Sequence, residues 1–130
     1  MLSITALYAS LLGLIFIFLS YRVVGIRKGE SIGIGDGGNQ ALQLACRVHA
    51  NFSEYVPVAL ILLAILEINA WSAIYVHILG ATLLVARVLH AIGYGKNSGV
   101  SFGRFAGIVL SWLVIISLSL LNLYSAIMAL

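Results

Sequence analysis

The stretch that decides the fold is ACRVHANFSEYVPVALILLAILE, which runs from Ala45 to Glu67. Its second half is continuously apolar, as in a membrane-spanning helix. On a helix, Arg47, Asn51 and Glu54 lie at roughly 0°, 40° and 340°, so they form one polar stripe. A charged side chain at membrane depth costs at least ~2.5–3.5 kcal/mol and therefore usually faces a protein interior or a cavity. The stripe predicts a functional site inside a membrane protein.

The composition of the whole chain supports the same class. Of its 130 residues, 62% are apolar and 8% are charged, whereas soluble domains carry about 25% charged residues. We predict an all-α, integral membrane four-helix bundle with a single domain over residues 1–130, the lipid bilayer being its partner. The apolar runs place the helices at about 3–22, 40–67, 73–94 and 104–128. Nucleic acid is excluded as a partner because the basic residues lie near helix ends and form no patch.

Two glycine-rich segments, GESIGIGDGGN at 29–39 and GKNSGVSFG at 95–103, separate these helices. The G-x-G pattern of the first does not predict a nucleotide site, because such a site needs a preceding strand. Both segments are predicted to be connectors.

Charge around these connectors predicts the orientation. The basic residues flanking the two segments are Arg22, Arg27, Lys28, Lys96 and Arg104. The other side of the bundle carries only Glu67 near its turn. Cytoplasmic loops are enriched in Lys and Arg, so we expect both glycine-rich loops in the cytoplasm and both termini outside.

A second polar stripe follows from this arrangement. Arg87, His90 and Tyr94 lie at roughly 0°, 300° and 340° on the third helix, at the same depth as the first stripe. We predict a polar pocket lined by both, within one subunit or across an interface. The alternative is a set of buried ion pairs that only hold the helices in register. No ligand-spacing motif predicts a metal site.

Packing patterns are visible as well. Gly103, Gly107 and Ser111 form a small-residue row that lets helices approach closely. Pro57 lies inside the second helix and predicts a kink.

The second-helix pattern R-x-H-x-N-x-x-E-Y-x-P resembles the signature of the MAPEG family, the membrane-associated proteins in eicosanoid and glutathione metabolism. The family's usual form is R-x-Q-x-N-x-x-E, commonly followed by Tyr and Pro. It is matched here by Arg47, Asn51, Glu54, Tyr55 and Pro57. The resemblance extends over essentially the whole chain.

The third-helix run R-x-x-H-x-x-x-Y resembles that of the prostaglandin E synthase branch, through Arg87, His90 and Tyr94. The resemblance implies a homotrimer that binds glutathione, as co-substrate, between subunits near the cytoplasmic side. It implies a membrane glutathione transferase or peroxidase joining this thiol to a hydrophobic electrophile from the bilayer. The bacterial inner membrane is the expected location. A non-catalytic lipid- or thiol-binding protein on the same scaffold is the alternative, and a purely structural or small transport bundle is a third hypothesis.

Site residues are carried over by matched position. The expected glutathione contacts are Arg47, Asn51, Glu54, Tyr55, Arg87, His90 and Tyr94. Arg104 is the catalytic candidate, because a cation near a thiol favours the nucleophilic thiolate, and Ser101 is a weaker alternative.

Two positions depart from the family pattern. His49 replaces the family's glutamine, and His90 stands where the leukotriene synthase branch has tyrosine. Either change could alter the affinity for the thiol donor or select another donor, so no particular eicosanoid chemistry is carried over.

Overall fold

The computed structural model describes residues 1–94 and 101–130, apart from the side chain of Tyr94. These residues form helices and no strand. The helices are α1 (Ser3–Gly29), α2 (Gln40–Ile68), α3 (Ala73–Tyr94) and α4 (Phe102–Ala129). All of them are long and apolar enough to cross a membrane, which confirms the all-α class and its spans.

The first helix continues past its predicted end at Arg22 to Gly29. Arg27 and Lys28 lie in its last turn, where positive side chains are favourable beside the partial negative charge of a helix C-terminus. The apolar run alone therefore underestimates the length of α1, which ends at Gly29.

Side-chain caps set where the next elements begin. The Asn39 side chain accepts a 3.0 Å hydrogen bond from the Leu42 amide at the start of α2. The Ser101 hydroxyl accepts one from the Arg104 amide at 3.3 Å, so α4 begins at Phe102 rather than at 104. Such caps satisfy amides that have no partner within the helix.

The α3–α4 pair is packed most closely, through the small-residue row. A Cβ atom added to Gly107 would lie 2.6 Å from the Ala86 carbonyl oxygen, and one added to Gly103 would lie 2.9 Å from that of Leu89. Only glycine allows this approach, so the predicted packing role of the row is confirmed.

Helix α2 is central, because it packs against each of the other helices. Its buried face includes Val48, Phe52, Val56, Ala59, Leu63 and Leu66. This face lies roughly 130° around the helix from the polar stripe. The structure keeps α2 a single helix across Pro57.

We call the end of the bundle with the 30–39 connection the loop end, and the end with residues 69–72 the turn end. At the turn end, the Glu67 carboxylate accepts hydrogen bonds from the amides of Ile4 at 3.0 Å and Thr5 at 2.7 Å. Trp71 Nε1 donates to the Ser125 hydroxyl at 2.7 Å. These contacts fix α1 and α4 to the α2–α3 turn.

Candidate functional site

The centre of the polar region is Arg87 on α3, which is 1% exposed. Its Nη2 donates to Asn51 Oδ1 at 2.7 Å and its Nη1 donates to Ser111 Oγ at 3.3 Å. The guanidinium carbon lies 5.6 Å and 5.7 Å from the ring centroids of Phe52 and Tyr55, within the range of a cation–π interaction. The two predicted stripes therefore meet within one subunit at a single pair, Arg87 and Asn51.

No ion pair joins Arg87 to a carboxylate within the described residues. Neutral oxygens and aromatic faces surround this buried cation instead. The alternative of a carboxylate-paired staple therefore does not describe Arg87, although the contacts do hold α2, α3 and α4 together.

The remainder of the α2 stripe points elsewhere. Arg47 and Glu54 are both exposed on the single chain, while Asn51 between them is half-buried and turned to Arg87. Among residues 1–94 and 101–130, no ion pair connects Arg47 with Glu54. We call these two side chains the α2 charged face. They lie on the outside of the subunit and do not line a pocket shared with the α3 stripe inside it.

Tyr55 lies between the buried cation and the surface. It is half-buried, and its hydroxyl accepts a hydrogen bond from Trp112 Nε1 at 3.1 Å. Trp112 on α4 thus holds the phenol in place above Arg87.

His90 is buried one turn beyond Arg87, with Nδ1 at 3.4 Å from Arg87 Nη2. Arg104 is half-buried in the first turn of α4. The side chain of Tyr94 and residue Lys96 lie outside the described residues. The structure thus brings His90 to the Arg87 centre and places Arg104 at the loop end of the same helix pair.

Ser101 has a different role from the one considered for it. Its hydroxyl donates to the Gly93 carbonyl oxygen at 2.7 Å while it accepts from the Arg104 amide. A serine hydroxyl has one donor hydrogen, so in this arrangement Ser101 has none left to activate a thiol. It fixes the start of α4 against α3.

The two remaining histidines contribute to helix packing. The His49 ring lies 4.8 Å from the Phe16 ring, and its Nε2 is buried with no hydrogen-bond partner among the described residues. His49 therefore contacts α1 through its ring face. His77 Nδ1 lies 3.1 Å from the Tyr8 hydroxyl, and this contact joins α3 to α1 near the turn end.

Arg27 organises the connection between α1 and α2. Its Nη1 donates to the Gly35 carbonyl oxygen at 2.8 Å and lies 3.5 Å from those of Ile32 and Gly33. Its Nη2 lies 3.8 Å from the half-buried Cys46 Sγ. The connector predicted from its glycines is therefore held against α2 directly before Arg47.

Comparison with known proteins decides the family. The sequence model of the MAPEG family matches residues 5–124. The chain belongs to the MAPEG family. It is 36% identical over 121 residues to inner membrane protein YecN of Escherichia coli K12, an alignment that covers 93% of this chain and 91% of the relative. YecN of Escherichia coli O6:H1 matches to the same extent.

These findings set the class of this MAPEG protein. Its spans make it a multi-pass membrane protein, and the name of its relatives supports a bacterial inner membrane. The family is associated with glutathione in general.

Three residues whose contacts hold the polar region or the connection beside it were not predicted from the sequence: Arg27, Ser111 and Trp112. The small-residue row predicts only helix packing for Ser111, although a small polar residue facing a buried helix pair is also a hydrogen-bond acceptor. Arg27 carried no signal beyond its charge, because its partners are backbone carbonyls of a glycine-rich connection.

Proposed function

We propose that this MAPEG chain is a membrane glutathione transferase or peroxidase that works as a homotrimer. The observation that carries the proposal is the exposed α2 charged face, where Arg47 and Glu54 lie within a membrane-spanning helix without being sealed against each other. Glu54 lies roughly 20 Å along α2 from Glu67, at hydrocarbon depth, and requires polar partners, while Arg47 lies beyond it toward the head-group level. A second copy of the chain and a hydrophilic ligand between the copies would supply them.

The pattern along α2 supports the assembly. Positions 47, 51, 54, 58, 61, 65 and 68 alternate spacings of four and three residues, which is the repeat of a coiled-coil seam. Its apolar members are exposed on the single chain: Val58, Ile61, Ile65 and Ile68. Isoleucine at both core positions of such a repeat favours three or four helices over two. We call these positions the α2 seam. Its first members include the α2 charged face, so assembly of subunits through α2 would bury the apolar seam residues and the charged face together.

The spacing of the charges fits the ligand. Arg47 and Glu54 are separated by roughly 10 Å along the helix axis, which is about the reach of an extended tripeptide. Glu54 would pair with the amino group of glutathione and Arg47 with a carboxylate. Asn51 and Tyr55 lie on the same helix and are held from behind by Arg87, with the buried His90 beside it, while Tyr94 would complete the site from α3.

The chemistry then needs a cation near the sulfur. Arg104, at the loop end of α4, would stabilise the thiolate, which is the nucleophilic form. The thiolate sulfur would form a bond to the electrophilic carbon of an apolar substrate from the bilayer as the leaving group departs. Holding both reactants in one site accelerates the reaction, because the step between them becomes effectively unimolecular. We also propose that the loop end is cytoplasmic, where glutathione is available.

The test is conjugation of glutathione to chlorodinitrobenzene by the protein in detergent. Arg104→Ala should lower the rate at least about tenfold, Arg104→Lys should lower it less, and Lys28→Ala, which removes an exposed cation at the same end, should leave it unchanged. An undiminished rate in Arg104→Ala would show that the catalytic assignment is wrong.

Binding is tested separately from turnover. Glutathione should raise the melting temperature of the wild-type protein and of Glu30→Gln, but not that of Glu54→Gln. Stabilisation without conjugation of any electrophile would favour the non-catalytic binding protein. A protein that no thiol stabilises would be a structural bundle.

A further inference from the structure

A second surface feature lies away from α2. A groove of about 430 Å³ runs between α1 and α3, a volume within the range of small-molecule sites. Phe18 and Leu19 line it from α1, and Val88 and Ile92 line it from α3, with Arg22 at its loop end. No residue of α2 or α4 lines it, so it is separate from the α2 charged face.

The depth of Arg22 distinguishes this groove from an ordinary lipid-facing surface. Arg22 lies about 30 Å along α1 from Ser3, which matches the thickness of the hydrocarbon core. Its guanidinium is therefore at the level of the lipid head groups, while the apolar lining extends below it into the hydrocarbon. The groove is thus charged at its loop end and apolar below, as a phospholipid is charged at its head group and apolar along its acyl chains.

Arg22 is also half-buried. Within residues 1–94 and 101–130, no hydrogen bond or ion pair joins its side chain to another group. Arg27, by contrast, is engaged by the loop carbonyls. A planar guanidinium donates two parallel hydrogen bonds to a phosphate, so an anionic lipid head group is the complementary partner for Arg22.

We propose that the α1–α3 groove is a binding site for one anionic glycerophospholipid per chain. An acyl chain lies along the apolar lining and the phosphate pairs with Arg22. This inference does not depend on the thiol chemistry proposed above, since the groove shares no residue with that site.

The test is native mass spectrometry of the delipidated protein in detergent, titrated with phosphatidylglycerol or with phosphatidylcholine. The wild-type protein should bind one phosphatidylglycerol per chain about five- to tenfold more tightly than phosphatidylcholine. Arg22→Gln should abolish this preference and Arg22→Lys should retain part of it. Lys28→Gln, which removes a cation from the same helix end but not from the groove, should keep the preference.

A second variant tests the apolar part. Val88→Phe fills the groove and should weaken binding of both lipids while leaving glutathione-dependent stabilisation unchanged. Equal binding of the two lipids to the wild-type protein would overturn the proposal. So would equal losses in Arg22→Gln and Lys28→Gln, which indicate general surface attraction, or unaltered phosphatidylglycerol binding in Val88→Phe.

Discussion

The hydrogen bond of 2.7 Å from Arg87 Nη2 to Asn51 Oδ1 joins α3 to α2 inside one subunit. Since the hydrocarbon offers no water, the guanidinium takes its partners from the protein: an amide oxygen, the Ser111 hydroxyl and two ring faces. This contact turns Asn51 inward and separates it from its neighbours on the stripe. Arg87 is thus a positioning residue that holds α2 from behind, while Arg47 and Glu54 remain on the outer surface.

The shape of the Arg87 side chain should matter as much as its charge. Arg87→Lys keeps the charge but replaces a planar fork with a point charge, which cannot serve α2 and α4 at once. We expect a loss of about 1–3 kcal/mol in unfolding free energy, measured as a lower melting temperature in detergent.

Arg22→Lys is the matched control, because Arg22 has no side-chain partner among the described residues and the same change should cost little. Equal losses in both variants would contradict the bridging role of Arg87.

Glu67 should stabilise the start of α1 across a long sequence separation. Helix α1 has no side-chain cap of its own, and the Glu67 carboxylate accepts from the amides of Ile4 and Thr5. Glu67→Ala should therefore cost about 0.5–2 kcal/mol, as the loss of a helix cap does, and Glu67→Gln should cost less. Hydrogen exchange of these two amides should become faster, whereas Glu30→Ala should leave them protected. Unchanged exchange in Glu67→Ala would rule out the cap.

Gly107 should not tolerate even a methyl group. Its added Cβ would lie 2.6 Å from the Ala86 carbonyl oxygen and 2.6 Å from His90 Cβ, so α3 and α4 would have to separate. Gly107→Ala should lower the unfolding free energy by about 1–3 kcal/mol. A Cβ at Gly25 meets nothing within 4 Å, so Gly25→Ala should be neutral or slightly stabilising. Equal melting temperatures of Gly107→Ala and Gly25→Ala in thermal denaturation would refute the close approach of α3 and α4.

The seam on α2 should be the surface that joins subunits, if the proposed homotrimer forms. In a Cys46→Ser background, Ile61→Cys should form intersubunit disulfides on mild oxidation in membranes, because disulfides need Cα atoms about 4.4–6.8 Å apart. Ile116→Cys is the control, since Ile116 on α4 is 54% exposed and Ile61 is 61% exposed, yet only Ile61 lies on the seam. Non-reducing electrophoresis reads the result, and equal crosslinking at both positions would argue against assembly through α2.

Much of the architecture could be predicted because an apolar run of about 20 residues indicates a membrane-spanning helix. The four spans, the small-residue row on α4 and the family all follow from patterns within single segments, whereas the partner of that row, α3, does not. The site was predicted less completely. Arg47, Glu54 and Arg87 stand out because charge is rare in a span, but Ser111, Trp112 and Arg27 do not, since their roles come from partners on other helices.

The sequence by itself determined that this protein spans the membrane as four helices and carries two polar stripes near one end. The reason is that apolar length and helical periodicity are local properties of the chain. Only the tertiary structure decided that Arg87 is enclosed while Arg47 and Glu54 stay outside, and that Ser101 caps a helix. These outcomes depend on which helices are neighbours and how they are rotated, because a hydrogen bond needs both atoms within about 3 Å.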